Sequence, residues 1–151
     1  MLKEGVLAPE FELPDQEKIL HKLSEYRGKK VVLYFYPKDD TPGCTKEACS
    51  FRDSFGEFRK NGMVVLGISK DTAASHVKFQ EKYSLPFPLL SDVNTDVIKS
   101  YEAWGPKKFM GKELLGVLRI TYVIDEEGKI LKAYEKVKPQ DHAQEILKDI
   151  L

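Results

Sequence analysis

The sequence predicts an α/β fold with a central mixed β-sheet flanked by helices, and three observations carry that expectation. Two continuous apolar runs, "VVLYFYP" (31–37) and "MVVLGIS" (63–69), have the length and the β-branched and aromatic content of strands buried on both faces. A helix-length segment separates them, and strand–helix–strand order implies a parallel crossover. Further on, "LRITYVID" (118–125) and "KILKAYE" (129–135) flank "EEG" (126–128), a hairpin signal with glycine in the turn.

The remaining elements follow in order. "TAASHVKFQEKYS" (72–84) reads as a helix after the second strand, and "FPLLSD" (87–92) as a short apolar piece. "NTDVIKSYE" (94–102) has an N-cap and helical spacing. "PQDHAQEILKDIL" (139–151) closes the chain as an amphipathic helix, with Ala143, Ile146, Leu147 and Ile150 on one stripe. A βαβα half followed by a β-hairpin and a final helix is the thioredoxin-like arrangement, parallel first and antiparallel second. No repeat, low-complexity tract or linker interrupts it, so residues 1–151 read as one domain.

Composition narrows the function classes. A chain of 151 residues suits one domain and buries roughly 70% of its unfolded surface. Its 42% hydrophobic and 32% charged content describes an ordinary soluble globule rather than a disordered chain. Lys plus Arg balances Asp plus Glu at 24 each, which gives no electrostatic reason to expect nucleic acid or anionic membrane as partner. No run approaches the ~18 apolar residues of a membrane span. Lys3 and Glu4 fall where a secretory signal needs apolar residues, so the expected location is cytoplasmic.

Both cysteines, Cys44 and Cys49, lie in "YPKDDTPGCTKEACS" (36–50). At about 100° per residue, Ala48, Phe51, Phe55 and Phe58 all fall within roughly 40° of Cys44, while Cys49 lies about 140° away. That stripe predicts a helix ending at Lys60-Asn61-Gly62. Thr41 has the chemistry of an N-cap, Pro42 suits the first helical position, and Cys44 then stands at the third. A thiol there faces unpaired backbone N–H groups and the positive end of the helix dipole, and both favour thiolate. Cys44 is thereby a candidate nucleophile, although the same position equally suits a small buried apolar residue. A structural disulfide is disfavoured by a reducing compartment and by helix geometry. Two cysteines spaced C-x4-C supply no recognisable zinc set, and His21, His76 and His142, scattered through polar segments, read as solvated surface residues.

At this point "PKDDTPGCTKE" (37–47) resembles the active-site motif of the peroxiredoxins, and a second cysteine five residues on resembles their bacterioferritin-comigratory or plant-Q branch. The likeness extends over most of the chain, through "GVLAPEFELPD" (5–15), "AWG" (103–105) and "GVLRITYVID" (116–125). It departs at the first turn, where the family often has glycine and this chain has "DQEKIL". The resemblance implies a thiol-dependent peroxidase for hydrogen peroxide and organic hydroperoxides. Cys44 would be the peroxidatic and Cys49 the resolving cysteine, with Thr41, Pro37 and Arg119 in the catalytic set and Glu47 in support. It further implies a Cys44–Cys49 disulfide reduced by thioredoxin or a similar dithiol, no metal or cofactor, and a monomer or weak dimer.

The residues give each role a physical reason. Attack on one peroxide oxygen develops charge on the other, where a fixed cation and donors stabilise the transition state. Alternation places Leu118, Ile120, Tyr122 and Ile124 on one face of their strand, with Arg119, Thr121 and Val123 on the other. An arginine inside such a strand needs a partner, or else snorkels at an edge. Pro37 lacks an N–H and can wall off a thiolate without offering a competing donor. Glu47 can orient Arg119, or can serve simply as favourable charge in the first helical turn. The alternative from another class is a non-catalytic redox sensor or holdase switched by the same disulfide, for which Arg119 and Thr41 would be surplus.

Overall fold

The computed structural model describes residues 1–151, except for the side chain of Phe109. A five-stranded sheet forms the centre, ordered β5-β4-β3-β8-β9, where β3 is Lys30–Phe35, β4 Met63–Ser69, β5 Leu89–Ser91, β8 Ile120–Ile124 and β9 Ile130–Tyr134. β3 pairs parallel with β4, and β4 with β5; β3 pairs antiparallel with β8, and β8 with β9. The expected parallel first half and antiparallel second half are thus both present. The apolar runs 31–37 and 63–69 form neighbouring central strands because each can bury both faces.

Two cores lie on opposite faces of this sheet. One gathers Leu33, Phe35, Leu66, Ile68, Ile120, Tyr122 and Ile124 with the N-terminal segment. The other gathers Val32, Tyr34, Val65 and Val123 with Cys44, Ala48, Phe51 and Phe58. Alternation along β8 therefore divides its residues between the cores as expected. Arg119 itself precedes β8 rather than lying within it.

The cysteine helix is divided. α1 spans Pro42–Asp53 and α2 Phe55–Lys60, with Ser54 between them at φ −104°, ψ 5°. Ser54 and Gly56 are weak helix formers and stand at the break. The aromatic stripe survives, since Phe51 and Phe58 are buried and Phe55 packs against the same core. α3 is Ala73–Tyr83, α4 Asp96–Ser100 and α5 His142–Ile150, the last burying Ala143 and Ile146.

Two hairpins lie outside the sequence expectations. β1 (Glu12–Pro14) and β2 (Leu20–Lys22) flank the "DQEKIL" turn, where Lys18 takes a left-handed φ of 64°. That conformation costs about 1–2 kcal/mol in a non-glycine residue. Asp15 offsets it by accepting the backbone N–H groups of Glu17 and Ile19. β6 (Trp104–Phe109) and β7 (Lys112–Val117) form a separate two-stranded ribbon. Its outer residues Leu114 and Leu115 are exposed, so alternating hydrophobicity never marks it.

Candidate active site

α1 begins as its sequence requires, with Thr41 at the N-cap, Pro42 in the first turn and Cys44 at the third position. Cys44 is buried, and its sulfur receives one side-chain donor: Arg119 Nη2 at 3.3 Å. The same guanidinium donates through Nη1 to Glu47 Oε1 at 2.7 Å. Glu47 lies one helical turn after Cys44 and is completely buried, so α1 presents both the sulfur and the anion that aims the cation at it. Burial disfavours the Arg119 charge, but Glu47 and Cys44 outweigh it and hold the guanidinium more firmly cationic than a free arginine. Burial also pushes the Glu47 carboxyl up to about 7, against the pull of Arg119. Arg119 is therefore neither a snorkelling residue nor without a partner.

The other sequence-derived residues lie on α1 or in the loop that leads into it. Thr41 occupies the cap position but makes no capping bond; its hydroxyl donates instead to the Lys38 carbonyl at 2.9 Å. The expected capping role is corrected accordingly, because the hydroxyl is turned back to Lys38 and its oxygen accepts no N–H of the first turn. Pro37 is half-buried directly after the buried Tyr36, in the same loop. Cys49 is half-buried on α1, and both cysteines are free thiols. Burial pushes the Cys49 thiol up, with Arg52 opposing and Asp53 adding to the shift.

The sequence model described as the AhpC/TSA family matches residues 5–133. The chain belongs to this family. A putative peroxiredoxin bcp from Coxiella burnetii is 49% identical over 97% of both chains, and peroxiredoxin Bcp from Bacillus subtilis is 47% identical over 97% of this chain and 93% of its own. A cysteine-to-serine variant of PrxQ from Xylella fastidiosa superposes with a TM-score of 0.93 at 30% identity, covering 99% of this chain and 96% of that one. The bacterioferritin comigratory protein of Xanthomonas campestris, described for its alkyl peroxide reduction activity, has a TM-score of 0.86 at 35% identity and covers 92% and 88% of the two chains. The chain is a thiol-dependent peroxidase with the thioredoxin-like fold of the peroxiredoxins.

Several residues of this peroxiredoxin site escape sequence reasoning. Lys107, half-buried on β6, has its pKa lowered first by burial and next by the charge of Arg119. Beneath the site, Tyr34 Oη and Glu47 Oε2 are buried and have no hydrogen-bond partner among the described residues. Gly43 leaves room for the guanidinium, since a Cβ there would stand 3.0 Å from Arg119 Nη2. Gly43→Ala should therefore displace Arg119 and lower the rate constant for Cys44 oxidation about tenfold, as a small misplacement of a reacting geometry does. Stopped-flow measurement of that constant decides it, and a wild-type value would show that Arg119 yields without consequence.

The histidine expectation fails. His76 and His142 are fully buried, and the His21 side chain is largely so. Each imidazole satisfies both nitrogens internally: His142 pairs with Thr121 Oγ1 at 2.8 Å and Glu145 Oε1 at 3.0 Å, His21 with Tyr26 and Asp15. A ring so satisfied is stable inside a core, and neighbouring polar sequence does not reveal it. Among the described residues, no helix is long and apolar enough to cross a membrane.

Proposed function

We propose that Cys44 is the peroxidatic cysteine, that Cys49 resolves it, and that hydrogen peroxide and organic hydroperoxides are the substrates. The observation that carries this reading is the 3.3 Å contact from Arg119 Nη2 to Cys44 Sγ, with Glu47 holding the other arm of the guanidinium. In the first step the Cys44 thiolate attacks the nearer peroxide oxygen, the O–O bond breaks, and water or alcohol leaves after gaining a proton. Arg119 stabilises the charge that develops on the departing oxygen. Thr41, its hydrogen given to Lys38, keeps lone pairs with which to accept the peroxide hydrogen. Pro37 shields the sulfur without competing as a donor.

The Cys44 sulfenic acid then condenses with the Cys49 thiol, forming the disulfide and releasing water. α1 contains both cysteines, so their separation of five residues is a rise of about 7.5 Å. A disulfide needs Cα atoms within ~7 Å and converging Cβ vectors, which requires the turn around Cys49 to unwind. Unwinding releases the bonds from Ala143 N to Ser50 Oγ (3.1 Å) and from Arg52 Nη1 to the Tyr83 carbonyl (2.9 Å). It also brings Cys49 into water, removing the burial that pushes its thiol up and so favouring the thiolate that attacks. Thioredoxin or a similar dithiol then reduces the disulfide, in the cytoplasm, with this chain acting as a monomer or weak dimer and requiring no metal or cofactor.

Cys49→Ser tests the resolving step. The variant should consume one peroxide per chain at the wild-type rate and then stall with thioredoxin as donor. Wild-type multi-turnover by this variant would remove Cys49 from the cycle. In the unmodified chain, oxidation should strip amide protection from about Thr45 to Asp53 while Phe58 stays protected. A sensor would instead react once even with both cysteines and a reductant present, and the arginine aimed at sulfur favours turnover.

A further inference from the structure

The loop that carries Pro37 and Thr41 towards Cys44 is fastened at a hub outside the reacting groups. Asp39 is buried and accepts three side-chain hydrogen bonds: Tyr36 Oη on Oδ1 at 2.6 Å, with Ser75 Oγ at 2.8 Å and His76 Nδ1 at 2.7 Å both on Oδ2. Its own N–H donates to Asp71 Oδ2 at 2.9 Å. Asp40, the next residue, takes a left-handed φ of 56° and accepts Lys82 Nζ and Tyr83 Oη at 2.8 Å each. Ser75 and His76 lie in the first turn of α3, Lys82 and Tyr83 in its last. Two consecutive aspartates therefore pin the loop to both ends of one helix.

His76 decides the charge of this hub. Its Nε2 lies 3.1 Å from the Leu90 carbonyl, which can only accept, so Nε2 carries a hydrogen. Its Nδ1 faces Asp39 Oδ2, an oxygen that already receives Ser75, in a carboxylate that can also only accept. With Asp39 ionised, and with Tyr36 Oη, 3.5 Å from Nδ1, already bonded to Oδ1, this geometry calls for a hydrogen on both nitrogens. Asp39, Asp71 and His76 also bring ligand atoms within 4.8 Å of one another, the residue types of a metal site. The 2.7 Å separation of Nδ1 and Oδ2 argues otherwise. Tetrahedral ligands bonded at ~2.0–2.2 Å stand roughly 3.3–3.6 Å apart, whereas 2.7 Å is the length of a charge-assisted hydrogen bond.

We propose that His76 is a positioning residue for the peroxide step, a buried imidazolium that anchors Asp39 and through it the loop bearing Pro37 and Thr41. The inference rests on Cys44 being the peroxide-reacting thiol. Removing one partner of a buried ion pair leaves the other charge uncompensated, and the structure moves to hydrate it. Asp39 stands between Pro37 and Thr41, so its displacement carries the segment that leads into α1 and Cys44, and a shift of about 1 Å there costs up to ~10²-fold in rate.

The test is a double-mutant cycle of His76→Gln, Asp39→Asn and the two combined, each assayed below its own unfolding temperature. The single-turnover rate constant for Cys44 oxidation should fall about 10- to 10²-fold in either single variant. In the double variant, where two neutral amides face each other, much of the rate should return. Nitrogen-15 spectra of the unmodified chain should show both His76 ring nitrogens bearing hydrogen; that measurement stands even where a variant folds poorly. A hydrogen-free Nδ1, unchanged rates in the single variants, or a double variant no faster than the singles would each overturn the proposal. Unmodified protein whose Cys44 does not react with peroxide would overturn the proposed function, and this inference with it.

Discussion

Cys44→Ser should abolish peroxide turnover while the fold persists. Serine is close in volume to cysteine, and at a position 1% exposed it leaves no cavity of consequence. Its hydroxyl can accept the Arg119 donor that now reaches the sulfur at 3.3 Å. The loss is chemical. An alcohol at neutral pH is almost wholly protonated and a far poorer nucleophile than a thiolate. Peroxide consumption in the presence of thioredoxin and its reductase should fall to the blank, with near-UV circular dichroism unchanged. Retained activity would refute the nucleophile assignment outright.

Arg119→Met should lower the second-order rate constant for Cys44 oxidation by on the order of 10²-fold or more, the cost of losing a donor to the developing oxyanion. Methionine replaces much of the apolar stem but neither nitrogen, so both the contact to sulfur and the 2.7 Å bond to Glu47 vanish together. Stranding a buried carboxylate would ordinarily be costly. Glu47, already pushed up to about 7 by burial, can instead take a proton once the cation is gone. The variant should therefore fold, and its defect should lie in the peroxide step rather than in reduction of the disulfide. An unchanged oxidation constant in single-turnover stopped flow would return Arg119 to a structural role.

Sequence alone was enough wherever the governing interaction is local. The thiol's place in the first turn of a helix follows from Thr41-Pro42 and the apolar spacing of Ala48, Phe51 and Phe58. The one-turn offset of Glu47 from Cys44 follows from helix geometry, and the division of Ile120, Tyr122 and Val123 between two cores from strand alternation. Even where α1 breaks at Ser54, the stripe survives, because the same aromatics seek the same core.

What the sequence could not determine is decided by groups far apart in the chain. Arg119 meets Cys44 across 75 residues, and only the antiparallel docking of β8 beside β3 brings it there. Thr41 has the residue type of a cap, yet its hydroxyl bonds to Lys38 because the loop turns back on itself. His76 sits in a polar segment that reads as exposed, and is buried because Asp39 and the Leu90 carbonyl wait for its two nitrogens. Local propensity reports what a residue can do on its own helix or strand. Burial of a charge or a ring is paid for by partners that only the folded chain assembles, so the sequence offers Cys44 and Arg119 as candidates, and tertiary structure alone sets the guanidinium against the sulfur and Asp39 against His76.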